Sequence, residues 1–393
     1  MRPSVDARIR AISAEYPSRL PRGDLAAVER LLLAAGVALP PTRAAIVGTN
    51  GKTSTAVFAG RLLRRAGVRD GVTTSPHISR WGERIAVTGE PVEDDVLLAE
   101  LESLHATARE IEGRETLRFF DLLTLAAAAL FSAAGVEVAI FEAGIGGRLD
   151  ATRVLVPQLS VLTGIGLDHV ELLGEREADI LREKLGVAPT GSRVLSASLR
   201  PELEDEAAKF AEKHGIELEL VRSSERNVLL RNAELASAAV AALGIEVDPC
   251  AVREVSAEPI RGRMHHVLAG GVEVLLDAAH NPQAWSEIAP ELPPSFVAVV
   301  SVSADRAAAE LRPALGGAVA TVATEAWTGR SATAGGLAAE LCNAESIEDP
   351  GVAVKRGIVL ARERQLPLVV LGSAYLLPHA YAALDEVSDT ENA

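Results

Sequence analysis

A glycine turn followed by a lysine and hydroxyl residues is the first part of the sequence that suggests chemistry. In AIVGTNGKTST (45–55), an apolar run ends at the turn and a helical pattern begins after it. Backbone N–H groups of such a turn approach phosphate oxygens, the ammonium group of Lys52 reaches the outer phosphates, and a hydroxyl group is offered to Mg²⁺. The usual motif has another glycine where this chain has Ile46, but Ile46 belongs to the strand, so only the entry to the turn is altered. The predicted nucleotide-binding residues of the loop are Gly48, Thr49, Asn50, Gly51, Lys52, Thr53 and Ser54.

Polar residues follow three further apolar runs, where predicted strands end. They are Ser75, His77 and Arg84 in TTSPHISRWGERI (73–85), Glu142 in FEAGIGGRLDAT (141–152), and Asp168 and His169 in GIGLDHVELLG (164–174). Ligands collect at the carboxyl ends of strands in open α/β sheets, and a hydroxyl group, a carboxylate and an imidazole there would form a Mg²⁺ site. Each residue alone also has an ordinary explanation as a turn, a salt-bridge partner or a helix cap. Only their combination favours a site.

These residues are set in an alternation of β-branched runs and longer helical patterns, which is typical of a parallel sheet covered by helices. The predicted strands are 44–48, 71–75, 137–144, 159–166, 193–198, 272–279, 296–303, 318–323 and 366–374. A helix at 231–245 closes the first part, and a boundary is expected near 256–262. We therefore predict an α/β protein with a P-loop parallel-sheet ATPase domain at 1–258 and a smaller Rossmann-like α/β domain at 259–393.

Length and charge limit the classes of function. A chain of 393 residues exceeds one hydrophobic core, and a formal net charge of −15 argues against general binding to nucleic acid or anionic lipid. No apolar stretch has the length of a membrane span, and two cysteines, Cys250 and Cys342, are too few for a disulfide framework or a thiolate metal site. We expect a cytoplasmic monomer that binds small molecules, without nucleic-acid or membrane partners.

Six motifs together resemble one enzyme family. GTNGKTST, TSPHISRWGERI, FEAGIGGRLDAT, GIGLDHVELLG, REKLGV and LLDAAHNPQA occur in the order and approximate spacing of the folate branch of the Mur ligase superfamily, the dihydrofolate synthase/folylpolyglutamate synthases. The resemblance extends from about residue 25 to residue 380. GGRLDAT with LDHVELLG is specific to that branch, whereas the phosphate loop alone does not separate a kinase, a GTPase and a ligase.

The resemblance implies an ATP-dependent ligase. In such enzymes ATP phosphorylates a carboxylate, of dihydropteroate or of the γ-carboxylate of a folate glutamate, and the amine of L-glutamate attacks the acyl phosphate to form an amide. The carboxylate needs a leaving group because an amine does not displace oxide from it, and the charges of the anionic reactants must be neutralised. The implied cofactors are ATP and Mg²⁺, with two metal ions expected. Closure of the second domain over the nucleotide is expected to exclude water from the acyl phosphate.

Residue roles implied by the resemblance follow its motifs. Lys52, Lys184 and His169 match catalytic positions, and Ser75, Glu142, His169 and Lys184 match metal-binding positions. Lys184 matches a lysine that is carbamylated by CO₂ in such ligases, which replaces an ammonium group with an anion that binds a second Mg²⁺. Asn232, Arg263, Asp277, His280 and Asn281 match positions around the nucleotide, and Phe120, Arg148 and Asp150 match the substrate side.

The chain also departs from the family pattern. Thr53 stands where Gly is more common, Asp121 where Glu is usual, and the stretch between Lys184 and Asn232 is short, so that a small β-meander is expected to be missing. SVSADRAA (301–308) lacks the usual Lys-Asp pair. Three alternatives stay open: a ligase for another acid and amino acid, a P-loop phosphotransferase or NTPase, and a nucleotide-binding scaffold without turnover.

Overall fold

The chain forms two compact units in a computed structural model that describes residues 4–16, 24–327, 329–342 and 344–391. The first unit ends at Ala257 and the second begins at Glu258, whereas the sequence placed the boundary one residue later. Within the described residues no helix is both long and apolar enough to cross a lipid bilayer.

The first unit is built on one sheet of eight strands. Its strands are β1 (Thr42–Val47), β2 (Asp70–Thr73), β3 (Ile85–Val87), β4 (Glu90–Pro91), β5 (Val138–Glu142), β6 (Leu159–Leu162), β7 (Arg193–Ala197) and β8 (Glu217–Val221). Its helices are α1 (Val5–Ala14), α2 (Ala26–Ala34), α3 (Lys52–Arg65), α4 (Asp94–Ala108), α5 (Phe119–Ala133), α6 (Val170–Leu173), α7 (Glu177–Leu185), α8 (Pro201–His214), α9 (Val228–Ala242) and α10 (Pro249–Ala257). Short 3-10 helices span Trp81–Arg84, Arg114–Thr116 and Ala151–Arg153.

The order of the strands decides which loops meet. It runs β4-β3-β2-β5-β1-β6-β7-β8, and from β2 to β8 every neighbouring pair is parallel. Strand β1 therefore lies between β5 and β6, with β2 on the far side of β5. Since parallel strands end at the same edge of a sheet, the segments after β2, β5, β1 and β6 lie side by side.

Helices cover this sheet and enclose apolar side chains on both of its faces. Strand β5 is buried along its whole length, as a parallel strand covered on two sides should be. One cluster of buried side chains joins the sheet to α1, α2, α4 and α5 and includes Leu31, Leu101, Leu122, Phe131 and Phe141. Another includes Val47, Leu162, Leu181, Val194 and Ala207, from β1, β6, β7, α7 and α8. The phosphate loop is thus carried by a strand that is held from both sides.

The second unit has a sheet of six strands. Its strands are β9 (His265–Ala269), β10 (Val272–Leu276), β11 (Phe296–Val300), β12 (Ala318–Ala323), β13 (Ala344–Ser346) and β14 (Leu368–Leu371), and its helices are α11 (Pro282–Ile288), α12 (Ala334–Leu341), α13 (Pro350–Arg364) and α14 (Leu377–Glu391). Short 3-10 helices span Ala289–Glu291, Ala308–Leu315 and Ala374–Leu376. The strand order is β13-β12-β11-β14-β10-β9, and only β9 runs antiparallel to its neighbour.

The predicted fold class is confirmed, with differences in detail. Each apolar run that was predicted as a strand contains one, but five strands at or near the sheet edges, β3, β4, β8, β9 and β13, were not among those predicted. Helix α9 begins at Val228 rather than at residue 231, because the side chain of Asn227 accepts a hydrogen bond from the backbone of Leu230 and caps the helix there. In the stretch between Lys184 and Asn232, β7, α8 and β8 lead directly to α9.

One buried ion pair fixes the start of β2. The Nη1 atom of Arg64, in the last turn of α3, donates to Oδ2 of Asp70 at 2.8 Å, and the Asp70 side chain is fully buried. Its second oxygen, Oδ1, has no hydrogen-bond partner among the described residues. Burial raises the pKa of Asp70 to about 6, against the opposing effect of Arg64.

This raised pKa predicts a pH-dependent stability. The folded state binds a proton on Asp70 more readily than the unfolded state, whose pKa is 3.8, so stability is lost as the pH rises from about 4 to above 6. Relative to Asp70→Asn, the free energy of unfolding of the wild-type protein should fall by up to about 3 kcal/mol across that interval. Urea unfolding of both proteins at a series of pH values measures this difference. If the free energy of unfolding changes with pH in the same way in both proteins, Asp70 has an ordinary pKa.

Candidate active site

The phosphate loop has a backbone that only glycine allows at two points. After β1 ends at Val47, Gly48 has a φ of +152°, and Gly51, directly before α3, has a φ of +83°. A Cβ atom at Gly48 would lie 1.9 Å from Oγ1 of Thr163, and one at Gly51 would lie 2.8 Å from Oδ1 of Asn232. Glycine is therefore required by space as well as by conformation. Asn232, on the buried face of α9, lies directly against the turn.

Hydrogen bonds from the neighbouring strand β6 hold the loop in shape. The Thr163 hydroxyl donates to the carbonyl oxygen of Asn50. The buried Thr49 hydroxyl donates to the carbonyl oxygen of Gly166 at 3.1 Å and accepts from the N–H of Gly166 at 3.0 Å. The Thr49 side chain is thus part of the frame, so a contact from Thr49 to phosphate would come from its backbone.

Two lysine ammonium groups meet at one carbonyl oxygen of the loop. Nζ of Lys52 lies 2.9 Å from the oxygen of Gly48 and 3.2 Å from that of Thr49, and Nζ of Lys184 lies 2.8 Å from the oxygen of Gly48. Lys184, on α7, is only 4% exposed. Burial, with the positive charge of Lys52 added to it, lowers the pKa of Lys184 to about 7. The neutral amine of Lys184 is thus far more accessible near neutral pH than that of an ordinary lysine.

A buried carboxylate connects the loop to β2 and β5. Glu142, the last residue of β5, is 3% exposed. Its Oε1 accepts from the hydroxyl of Thr53 at 3.1 Å, its Oε2 accepts from the N–H of Ser75 at 3.0 Å, and its own N–H donates to the hydroxyl of Thr73. One carboxylate is therefore in contact with the first turn of α3 and with the segment that follows β2. Ser54, next to Thr53, is buried in the same turn.

His169 stands on the other side of the loop, in the segment after β6. Its φ of +49° is uncommon for a residue with a side chain and marks a backbone held by its surroundings. Its N–H donates to Oδ1 of Asp168, and its ring nitrogens lie 3.9 Å from Asp168 and from Glu171. Among the described residues no group of three or more His, Cys, Asp or Glu side chains forms a metal site. Of the predicted metal ligands, only Glu142 and His169 belong to those residue types.

In the second unit, the predicted nucleotide residues lie together at the end of β10. The buried carboxylate of Asp277 accepts from the N–H groups of Met264 and Ala279, each at 2.7 Å, and this ties the residue after Arg263 to the turn after β10. Burial raises the pKa of Asp277, with Arg263 opposing. The fully buried Asn281 caps α11 by accepting from the N–H of Ala284, while His280 is exposed and its Nδ1 lies 3.0 Å from the oxygen of Ala278.

Of the three residues predicted for the substrate side, Phe120 and Asp150 both lie against Gly144, whereas Arg148 lines a different cleft. Phe120 lines a narrow pocket together with Glu142. Asp150 is buried, and its carboxylate accepts from the N–H of Gly144 and from both the N–H and the hydroxyl of Thr152. Arg148 pairs with Glu183 at 2.8 Å and lines a different cleft, of about 480 Å³, with Asp24, Glu29, Arg153 and Thr190 among its walls.

Comparison with known proteins places this arrangement in a family. Residues 46–188 match the model of the Mur ligase middle domain. The dihydrofolate synthase/folylpolyglutamate synthase of Escherichia coli strain K12 is 32% identical over 285 residues, which are 65% of this chain and 66% of that relative. The protein of the same description from Bacillus subtilis strain 168 is 36% identical over 172 residues, 43% of this chain and 40% of the relative. The chain belongs to the dihydrofolate synthase/folylpolyglutamate synthase family.

Solved structures of family members extend the similarity beyond the aligned sequences. E. coli FolC in complex with DHPP and ADP superimposes with a TM-score of 0.85 at 25% identity, covering 100% of this chain and 99% of that one. The bifunctional folylpolyglutamate synthase/dihydrofolate synthase of Yersinia pestis, complexed with AMPPNP and Mn ion, gives 0.86 at 27% identity, covering 98% of this chain and all of that one. In sequence, the chain aligns with about two thirds or less of the length of the curated relatives it matches.

The structure brings together most of the residues that the sequence singled out in the first unit, and it adds others. Thr53, Glu142 and Ser75 form one hydrogen-bonded group, and Lys52 and Lys184 form another at the carbonyl oxygen of Gly48. Sequence reasoning missed Thr163 and Thr73, which hold the loop and Glu142 in place. The signal for both was a hydroxyl residue in or at the end of an otherwise apolar run.

A matched pair of glycine substitutions tests the packing of the loop. Gly48 and Gly164 have nearly equal φ values, +152° and +149°, but a Cβ atom would meet Thr163 at Gly48 and nothing within 4 Å at Gly164. We expect Gly48→Ala to lose ATP binding and about 1–3 kcal/mol of stability beyond the loss in Gly164→Ala. Thermal unfolding and nucleotide titration measure both. Equal losses in the two variants would mean that backbone conformation, and not the contact with Thr163, requires glycine at residue 48.

Proposed function

We propose that the protein is an ATP-dependent ligase that joins L-glutamate to dihydropteroate, to the γ-carboxylate of folates, or to both, through an acyl phosphate. The convergence of Lys52 and Lys184 on the carbonyl of Gly48, beside a carboxylate bound to Thr53, is the observation that supports it most. A lysine ammonium group at a phosphate loop, beside a second lysine whose charge can be removed, suits a reaction in which phosphate moves between anions. The names of the relatives and their bound nucleotides support the choice of reaction.

The loop residues have a direct part in this reaction. The N–H groups of the glycine turn and the N-terminus of α3 favour phosphate oxygens, and Lys52 exchanges its loop carbonyls for the outer phosphates. Neutralising these oxygens lets the substrate carboxylate approach and take the γ-phosphoryl group of ATP, so that ADP leaves, and the amine of L-glutamate then displaces phosphate to form the amide. Because the loop is already held by Thr163 and Thr49, binding of ATP orders little additional backbone.

The residues around Glu142 fit a magnesium ion. The Ser75 hydroxyl, the Glu142 carboxylate and the His169 imidazole would hold it, and the ion would supply positive charge to the phosphate oxygens. The buried carboxylate is the feature that fits, since an anion that is 3% exposed beside a phosphate loop is stabilised by a cation. The hydroxyl of Thr53 and the N–H of Ser75 orient its two oxygens.

Lys184 fits the role of the lysine that is carbamylated in the ligases that the chain resembles. A carbamate forms only from the neutral amine, and burial beside Lys52 favours that form by lowering the pKa to about 7. The product would be an anion next to Lys52 and would relieve the repulsion between the two ammonium groups. The carbamate would then hold a second magnesium ion near the transferred phosphate.

In the second unit, we assign Arg263, Asp277, His280 and Asn281 to nucleotide binding, and in the first unit we assign Asn232, which lies against the glycine turn, to the phosphate loop. This assignment follows from the family motifs, and the structure adds a reason for two of the positions. Asp277 and Asn281 accept backbone N–H groups, so they fix the turn after β10 from which His280 projects. In this assignment Asp277 and Asn281 contribute to nucleotide binding by holding the turn after β10 in shape.

A coupled assay tests the proposed reaction. ADP release should require both L-glutamate and an acid substrate, either dihydropteroate or a folate, and mass spectrometry should show the product with one added glutamate. Lys52→Ala and His169→Ala should reduce the rate at least about 100-fold while the proteins stay folded, because each loses a group at the phosphate site.

Two other outcomes would reject the proposal. ADP release without glutamate would indicate a P-loop NTPase, and a product from another acid or amino acid would indicate a different Mur-type ligase. Nucleotide binding without any turnover across these substrates would indicate a scaffold. Each of these is read from the same reaction mixtures.

The state of Lys184 has its own test. Lys184→Ala should be nearly inactive, and a short carboxylic acid such as acetate should restore part of the rate, because a soluble carboxylate can take the place of the carbamate. The wild-type rate should also fall in CO₂-depleted buffer and recover with bicarbonate. The control is Lys52→Ala, for which acetate should restore nothing. Absence of rescue at any acetate concentration, together with no effect of CO₂, would contradict the carbamate.

A further inference from the structure

We propose that Tyr381 is a positioning residue for nucleotide binding, which acts by holding Arg263 in place beside the turn after β10. This inference rests on the proposed function, in which Arg263 binds the nucleotide, and adds to it a residue of α14. It follows from the hydrogen bonds of the Tyr381 hydroxyl group, from the conformation of the segment that they hold, and from the path that leads from this segment to Arg263.

The hydroxyl group of Tyr381 joins two points of one short segment. The Tyr381 side chain is buried, and its oxygen accepts from the buried N–H of Gly262 at 2.9 Å and lies 2.6 Å from Nδ1 of His265. A hydroxyl group can accept one hydrogen bond and donate another, so its proton is directed to His265. Burial, and after it the positive charge of Arg261, lowers the pKa of His265, which favours the neutral ring that can accept. One oxygen atom therefore fixes both ends of the segment 262–265.

The backbone of this segment needs support from its surroundings. Gly262 has a φ of +71° and Met264 a φ of +44°. Both values lie in the left-handed region, which is unfavourable for a residue with a side chain such as methionine and persists where neighbouring groups hold it. The Tyr381 hydroxyl group contacts the segment directly before and directly after this strained part.

The carbonyl group of Gly262 carries the support to Arg263. Its oxygen accepts from the N–H of Ala278 at 2.9 Å and from Nη1 of Arg263 at 3.0 Å. Ala278 belongs to the turn after β10, which also contains residues that we assign to the nucleotide. The N–H of Gly262 is thus bound by Tyr381, and its carbonyl oxygen is bound by the turn and by the guanidinium group. The direction in which Arg263 extends therefore depends on how Gly262 is oriented.

The oxygen of Tyr381, and not its ring, carries this role. The ring has a separate contact, since the guanidinium carbon of Arg261 lies 4.3 Å from its centre, and a phenylalanine ring would keep that contact. Removal of the oxygen would take away the acceptor of a buried N–H group and the hydrogen bond to His265, which is costly in a protein interior. Gly262 would then rotate to find another acceptor, and Arg263 would move with it.

Nucleotide titration of a double-mutant cycle tests this inference in the whole 393-residue chain. We would measure the Kd of a non-hydrolysable ATP analogue with Mg²⁺ for the wild-type protein, Tyr381→Phe, Arg263→Ala and the double variant. Tyr381→Phe should weaken binding about 5- to 20-fold, because the buried N–H of Gly262 loses its acceptor. In the presence of Arg263→Ala the same change should alter Kd by less than about twofold, because the residue through which Tyr381 acts is gone.

Thr324→Val is the matched control. The Thr324 side chain is fully buried in the second unit, and its hydroxyl group donates to the carbonyl oxygen of Glu348 at 3.0 Å. Its replacement also removes a buried hydroxyl group, but outside the segment 262–265. Thermal unfolding should show a comparable loss of stability in Thr324→Val and Tyr381→Phe, whereas Thr324→Val should keep the Kd of the analogue within about twofold of wild type.

Each other result overturns the inference. Unchanged binding in Tyr381→Phe or in Arg263→Ala, an equal effect of Tyr381→Phe with and without Arg263, or the same loss in Thr324→Val would each do so. In these cases glutamate-dependent ADP release by the wild-type protein leaves the ligase function intact, whereas both proposals fail if the wild-type protein binds no nucleotide. Should Tyr381→Phe not fold, His265→Phe decides the question by the same cycle, because it keeps a ring beside the hydroxyl group and removes Nδ1.

Discussion

The carbonyl oxygen of Gly48 is the point on which the site depends, since two ammonium groups share it at 2.8 and 2.9 Å. Such an arrangement is costly unless an anion is added or one of the charges is removed. Phosphate would do the first, and carbamylation of Lys184 would do the second. The buried strand β1, the two glycines, and the hydroxyl groups of Thr163 and Thr49 hold the loop in the form that brings the two lysines together.

The sequence predicted the parts of the site that are local in the chain. The phosphate loop, the strand ends and the residues after them were visible because glycine, lysine and hydroxyl residues have fixed uses at a strand-to-helix turn. The contact of Lys184 with Gly48 spans 136 residues and depends on α7 lying beside the loop, which no local pattern records. Its role was therefore available only through the resemblance.

The residues predicted for the substrate side illustrate what a sequence motif does not show. Arg148 and Asp150 are two residues apart in an irregular turn, and the structure turns their side chains to different neighbours: Asp150 inward to Gly144 and Thr152, Arg148 to Glu183. A motif read as a unit does not show which way each side chain points. The strand order, in contrast, made one part of the site predictable. Parallel pairing of β2, β5, β1 and β6 is enough to bring Ser75, Glu142 and the loop to one edge of the sheet.

The hydrogen bond from Trp81 to Asp6 has a practical meaning as well. It ties the amino-terminal helix α1 to the Trp81 ring, which lies against the guanidinium group of Arg84. Removing the amino-terminal helix, or fusing a bulky tag to it, would take away one of the contacts that hold the segment between β2 and β3, whose Ser75 N–H binds Glu142. Kinetic comparisons between laboratories would then depend on where each group chose to start the chain.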